Sequence, residues 1–170
     1  MRSEIRDTFD VADPETFWDE IIFDRQVQER IYLELGCLSA EVQEQTGDKQ
    51  QGLKRTFHFE QPLAAPGPLK KVFGDRQALT EVGRFDPETR RFTFEMRPDG
   101  ALGRKIEIRG ELWVEPAGPG QVTRCCTIEA NVNIFGVGGL AGRFVKKSNE
   151  DIYAQRTQIV RRIIEEKGLS

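Results

Sequence analysis

The chain predicts an α+β protein in which a seven-stranded, curved antiparallel sheet wraps a long C-terminal helix, with two short helices after the first strand. Three observations carry this. Val122, Arg124, Cys126, Ile128, Ala130, Val132 and Ile134 alternate strictly, and Gly136-Val137-Gly138-Gly139 then leads into an amphipathic helix that closes the sequence. A period-2 stripe followed directly by a period-3.6 stripe requires one sheet face and one helix face to cover each other. The strands before it are separated by short turn sequences, which favour antiparallel meander pairing over parallel crossovers. Two capped helical segments sit between the first strand and that meander.

Each element has a local cause. Glu4 to Val11 alternates and reads as the first strand. Asp13 is placed to cap a helix whose first residue, Pro14, has no N–H to leave unpaired, and Phe17, Trp18, Ile21 and Ile22 form its apolar stripe. Asp24 caps a second helix carrying Val27, Ile31 and Leu35, and Gly36 ends it. Strands are expected near 39–46, 53–60, 77–86, 91–97, 104–115 and 121–135, punctuated by Gly47-Asp48, Asp86-Pro87-Glu88, Pro98-Asp99-Gly100 and the 116–120 stretch. Gln61 to Arg76 is the sole long break. It holds Pro62, Pro66 and Pro68 before Leu69, Val72 and Phe73, and it reads either as a flap over a cavity mouth or as a surface loop with a hydrophobic plug. The closing helix runs from about Gly139 to Lys167, with Leu140, Phe144, Ile152, Ile159 and Ile163 as its stripe and Val145, Val160 and Ile164 broadening it.

Composition narrows the function classes. At 170 residues, with 11 Phe, two Trp and two Tyr, residues 1–170 are expected to form a single domain with a full core. A net charge of −3 disfavours nucleic-acid binding, which needs a basic excess. The N-terminal residues alternate in charge and resemble no signal peptide, and no apolar run reaches membrane-span length, so a cytoplasmic location is expected. Cys37, Cys125 and Cys126 are odd in number, and the adjacent pair points to opposite strand faces, so reduced thiols are expected. With no C-x-x-C and a single histidine, no metal site is expected, and nothing calls for a cofactor.

The order of strand, paired short helices, meander and long last helix resembles the helix-grip fold of the START-like superfamily, also called SRPBCC, whose members include the birch-pollen allergen and polyketide cyclases. Within it, the chain is similar to a bacterial family of unknown function through three segments: Asp13-Pro14-Glu15-Thr16-Phe17-Trp18, Leu69-Lys70-Lys71-Val72-Phe73-Gly74-Asp75, and Val132-Asn133-Ile134-Phe135-Gly136-Val137-Gly138-Gly139. The resemblance implies a cavity for a lipid, isoprenoid or polyketide-like molecule. It does not imply a reaction, because the fold hosts carriers, cyclases, sensors and co-chaperones. The glycine-rich loop of the pollen-allergen branch is missing, only Gly47 and Gly52 standing there, so that branch's phosphate and cytokinin-type binding does not carry over.

Strand phase assigns the candidate ligand contacts. Phe57, Phe59, Phe92, Phe94, Ile106, Ile108, Leu112, Arg124, Cys126 and Ile128 share the inward face, and Phe144 and Ile152 lie on the helix stripe. The bland alternative is that these side chains form a solid core. Inward Arg124 must reach solvent, pair with a carboxylate or meet an anionic ligand, and Arg55 beside Phe57 faces the same choice. Asp7 and Glu81, in apolar phases of their own strands, are the candidate partners. His58 is phased outward, and no catalytic constellation assembles, so no catalytic residue is assigned and a non-enzymatic carrier or sensor is favoured. A cyclase or dehydratase using Arg124, Arg55 and Glu81, or a co-chaperone-like interaction module presenting Trp113 and Phe135, are the alternatives. Arg143, Lys146, Lys147, Arg156, Arg161 and Arg162 of the last helix read as a solvated face or as a site of transient contact with an anionic membrane surface.

Overall fold

The computed structural model describes residues 1–170. Seven strands form one antiparallel sheet in the order β1-β7-β6-β5-β4-β3-β2. They are β1 (Arg2–Phe9), β2 (Ser39–Asp48), β3 (Gly52–Pro62), β4 (Arg76–Asp86), β5 (Arg91–Pro98), β6 (Ile106–Gly118) and β7 (Gln121–Val132). Chain ends meet, because β1 pairs with the last strand from Arg2 opposite Glu129 to Phe9 opposite Val122. Strands β2 to β7 follow as a meander. Edge strand β2 is bulged between Val42 and Glu44 and rich in Glu and Gln, features that discourage edge-to-edge association.

The expected caps form. Asp13 accepts the Thr16 N–H at 2.8 Å to start α1 (Pro14–Phe17), which widens into a π-helical turn at Trp18–Ile22 where the Phe23 N–H donates to the Trp18 carbonyl at 2.8 Å. That wider turn directs Phe17, Trp18, Ile21 and Ile22 together into the core. Asp24 accepts the Val27 N–H at 3.0 Å to start α2 (Arg25–Glu34), and Gly36, at φ 93°, supplies the left-handed turn that ends it. A short α3 (Pro68–Phe73) lies within the long break, and α4 (Gly138–Lys167) spans 30 residues, about 45 Å at 1.5 Å per residue.

Four expectations need correction. Strand β1 runs Arg2–Phe9 rather than Glu4 to Val11, its ladder with β7 closing at the pair Phe9 and Val122. Strand β7 ends at Val132 rather than 135, because Asn133 donates to Lys105 beyond the last ladder pair and positive-φ Gly136 turns the chain toward α4. Strand β6 begins at Ile106, after a 3₁₀ turn over Gly100–Arg104. Leu140 is not on the buried stripe of α4; it is 39% exposed, and Ala141 turns inward in its place.

The two ends of the sheet's concave face differ. At one end Trp18 stacks on Phe23 at 5.2 Å and meets Phe85 edge-on at 4.9 Å, with Phe9, Phe17 and Phe92 completing an aromatic fill. At the other end, where β3 finishes, β6 begins and α4 starts, the packing opens.

Candidate functional site

A cavity of about 220 Å³ occupies that open end. Its sheet wall is Phe59, Leu79, Phe94, Met96, Ile106, Ile108 and Ile128, and its helix wall is Phe144, Val145, Ile152 and Tyr153 of α4. Tyr32, Leu35 and Cys37, from α2 and the turn after it, form the back. The long break contributes Gln61, Pro62, Leu63 and Phe73, and the Phe73 ring lies 5.6 Å from Phe144, joining α3 to the first turns of α4. Leu69 of α3 is fully buried, so the segment both covers the cavity and plugs the core beneath it. The volume falls below the roughly 300–1,000 Å³ of drug-sized ligand pockets, which restricts any guest to a small molecule.

Of the residues singled out by phase, Phe59, Phe94, Ile106, Ile108, Ile128, Phe144 and Ile152 line the cavity. Phe57, Phe92, Leu112, Arg124 and Cys126 are buried on the same face but lie outside the lining. Alternation specifies which face a side chain takes; it carries no information on how far along the sheet the aromatic fill extends.

Three arginines are buried, and their partners differ. Arg124 donates to Asp7 at 2.6 Å and to the Thr157 hydroxyl at 3.0 Å. Arg55 donates to Glu81 at 2.9 Å and to the Ile22 carbonyl at 2.8 Å, with its guanidinium 4.8 Å from the Phe92 ring centre. Carboxylate pairing therefore answers the burial of both, by the very residues the sequence offered. Arg156 is the third. The charge pattern of the last helix predicts it on a solvated or membrane-contacting face, but it is only 8% exposed and lines the cavity. It donates to Gln28 Oε1 at 2.8 Å and to the Tyr32 hydroxyl at 3.3 Å, both neutral acceptors. A signal was present: Ile152, Arg156, Ile159 and Ile163 recur at helical spacing, placing the arginine within the apolar stripe.

The other titratable side chains in the lining are Tyr32, Cys37 and Tyr153. Burial pushes both phenols above the usual tyrosine value and the Cys37 thiol up to about 11, so all three stay protonated near neutrality. The Cys126 thiol, donating to the Tyr153 hydroxyl at 3.4 Å, is likewise raised by burial. No Asp, Glu or His lines the cavity, and no group of three or more His, Cys, Asp or Glu converges as a metal site. His58 sits on the outer face as phased, 2.9 Å from Asp99. Trp113 on that face is half-buried beneath the Arg91 guanidinium, 4.2 Å from its ring, whereas Phe135 is fully exposed. Lys146 and Lys147 pair with Glu150 and Asp151 one turn on. No helix is long and apolar enough to cross a membrane.

A curved antiparallel sheet gripping a long C-terminal helix over an internal cavity is the helix-grip fold that the order of elements led us to expect. The chain belongs to the family described as a protein of unknown function (DUF2505), whose model matches residues 5–164. Similar solved structures include TTHA0849 from Thermus thermophilus, with a TM-score of 0.71 at 16% identity over 98% of this chain and 99% of that one. The Zhui aromatase/cyclase from Streptomyces sp. R1128 superposes with a TM-score of 0.60 at 15% identity, covering 96% of each chain. Ara h 8.0201 gives 0.59 at 12% identity over 94% of this chain and 97% of its own. At these identities the likeness concerns the fold. No curated protein sequence matches the chain.

Proposed function

We propose that the protein binds a small hydrophobic or amphipathic molecule, of lipid, isoprenoid or polyketide-like character, between the sheet and α4, and acts as a carrier or sensor with residues 1–170 as one ligand-binding unit. The observation that carries this reading is the hollow end of the sheet, where 16 of 24 lining residues are hydrophobic. Each guest methylene taken out of water contributes about 0.8 kcal/mol, set against an association cost of about 4–15 kcal/mol. A small guest is then held weakly enough to exchange. A cyclase or dehydratase is the rival reading, given the aromatase/cyclase among the structural neighbours. General acid–base chemistry needs a group that titrates near neutrality, and the lining offers only raised phenols, a raised thiol and a guanidinium. This favours binding without covalent chemistry. The three free thiols fit a reducing cytoplasm.

The test uses N-phenyl-1-naphthylamine, a neutral fluorescent probe. It should bind one per chain, and Ile152→Phe, which pushes a ring into the cavity, should weaken it by about tenfold or more. Absence of probe binding, together with no co-purifying guest in native mass spectrometry, would overturn the proposal. Exchange at an anionic membrane would use the residues that lead from β7 into α4, ahead of the cavity residue Phe144, where Phe135 is fully exposed, Leu140 is 39% exposed and Arg143 is exposed. Phe135→Asp should slow probe transfer to phosphatidylglycerol vesicles several-fold; an unchanged rate discards the membrane step.

A further inference from the structure

The charge chemistry of the cavity specifies its guest more closely than its apolar walls do. Arg55 and Arg124 each hold a carboxylate, at 2.9 and 2.6 Å, and Arg156 has none within ion-pairing distance. A buried guanidinium cannot shed its charge, and leaving it with only neutral partners is costly. Its Nε–H has no acceptor, which is also true of Arg55 and Arg124, so what sets Arg156 apart is the missing carboxylate. One α4 heptad away, the side-chain amide nitrogen of Asn149 is also buried, lines the same cavity and has no acceptor. Between them stands Tyr153, whose protonated hydroxyl accepts from Cys126 and keeps its own hydrogen to donate. Positions 149, 153 and 156 fall on one helix face. The result is a set of donors around a single positive charge, with no acidic side chain in the lining to satisfy it.

We infer that the guest is a small amphipathic carboxylic acid, its carboxylate seated against Arg156 with Asn149 and Tyr153 as further donors, and its apolar body along the Ile106, Ile108 and Ile128 wall. This rests on the cavity being a binding site and adds the identity of the head group. A monoanion neutralises one guanidinium, whereas a phosphate monoester brings a second charge for which the lining has no cation. Carboxylate geometry also matches the two-pronged edge of the arginine.

The experiment displaces bound N-phenyl-1-naphthylamine with decanoic acid, decan-1-ol, methyl decanoate and decyl phosphate. Decanoic acid should compete about tenfold or more better than the alcohol or the ester, since a charge-assisted hydrogen bond is worth about that factor. Arg156→Met should bring the acid down to the alcohol's level. Because Arg156 also ties α4 to α2 through Gln28 and Tyr32, Asn149→Leu serves as a second variant that disturbs no existing hydrogen bond of that amide nitrogen, and it should cost the acid about threefold more than it costs the alcohol. Equal competition by acid and alcohol in the unmodified protein overturns the inference and leaves the cavity proposal standing. Tighter competition by decyl phosphate overturns the carboxylate assignment. Failure of the neutral probe itself to bind removes both.

Discussion

Arg55, Arg124 and Arg156 show how partner, rather than residue type or burial, sets what a charge does. The Arg55–Glu81 pair, with both side chains 6% exposed, joins β3 to β4 and, through the Ile22 carbonyl, to the π-helical turn. Removing one member leaves a buried, uncompensated charge, so Arg55→Met should destabilise the fold by about 3–5 kcal/mol. Arg55→Met combined with Glu81→Leu removes both charges and should return to within about 1–2 kcal/mol of the unmodified protein, the remainder being the lost Ile22 bond. Urea denaturation of the three proteins checks this. A double variant as unstable as the single one would show that the pair stabilises by more than mutual neutralisation. Arg55, Arg124, Asp7 and Glu81 were legible because strict alternation makes an inward charge conspicuous, and an inward acid then supplies its partner. Arg156 was not, because a helix rich in cations hides one that falls on the apolar stripe, and only the 152-156-159-163 spacing betrays it.

Among the elements, β5 decides where the sheet is filled and where it is hollow. Its Phe92 ring lies over Gly83 of β4 and its Phe94 ring over Gly110 of β6, so closely that a Cβ on either glycine would fall 2.0 and 2.1 Å from a ring carbon. The glycines are therefore seats for aromatic rings. Phe92 belongs to the solid end, while Phe94 lines the cavity. Gly83→Ala and Gly110→Ala should each cost about 1–3 kcal/mol through overpacking. Only Gly110→Ala should also weaken probe binding, since the displaced Phe94 ring moves within the cavity wall. Thermal melts and probe titration separate the two effects; equal loss of binding in both variants would mean that the ring positions are not independent. Turn residues, caps at Asp13 and Asp24, and the long final helix were all readable from local chemistry. The cavity's position along the strands was not, because it depends on how the wide turn at Trp18–Ile22 brings aromatic side chains over one end, a geometry without a periodic signature.

At the scale of the molecule, the hollow end is a stability cost carried by an otherwise dense fold. At about 24 cal/mol per Å³, a void of about 220 Å³ corresponds to about 5 kcal/mol of unrealised packing. On the proposed function the void is room for a guest, so filling it should strengthen the fold and remove binding together. Ile152→Phe should raise unfolding free energy by about 0.5–1.5 kcal/mol while abolishing most probe binding. A bound guest should act in the same direction without mutation: at a free concentration of about 100 times its Kd it adds about 2.7 kcal/mol, or about 5–10 °C for a chain of 170 residues. If the whole chain is one unit, Trp18 in the aromatic fill and Trp113 on the outer face should report the same transition. Trp18→Phe and Trp113→Phe, each leaving one fluorophore, should then melt with midpoints matching those of their own helical circular dichroism. Separate midpoints would divide the molecule. An Ile152→Phe protein that loses stability would mean that the cavity walls cannot yield to a ring, and one that gains stability yet binds the probe as before would mean that the probe is held elsewhere.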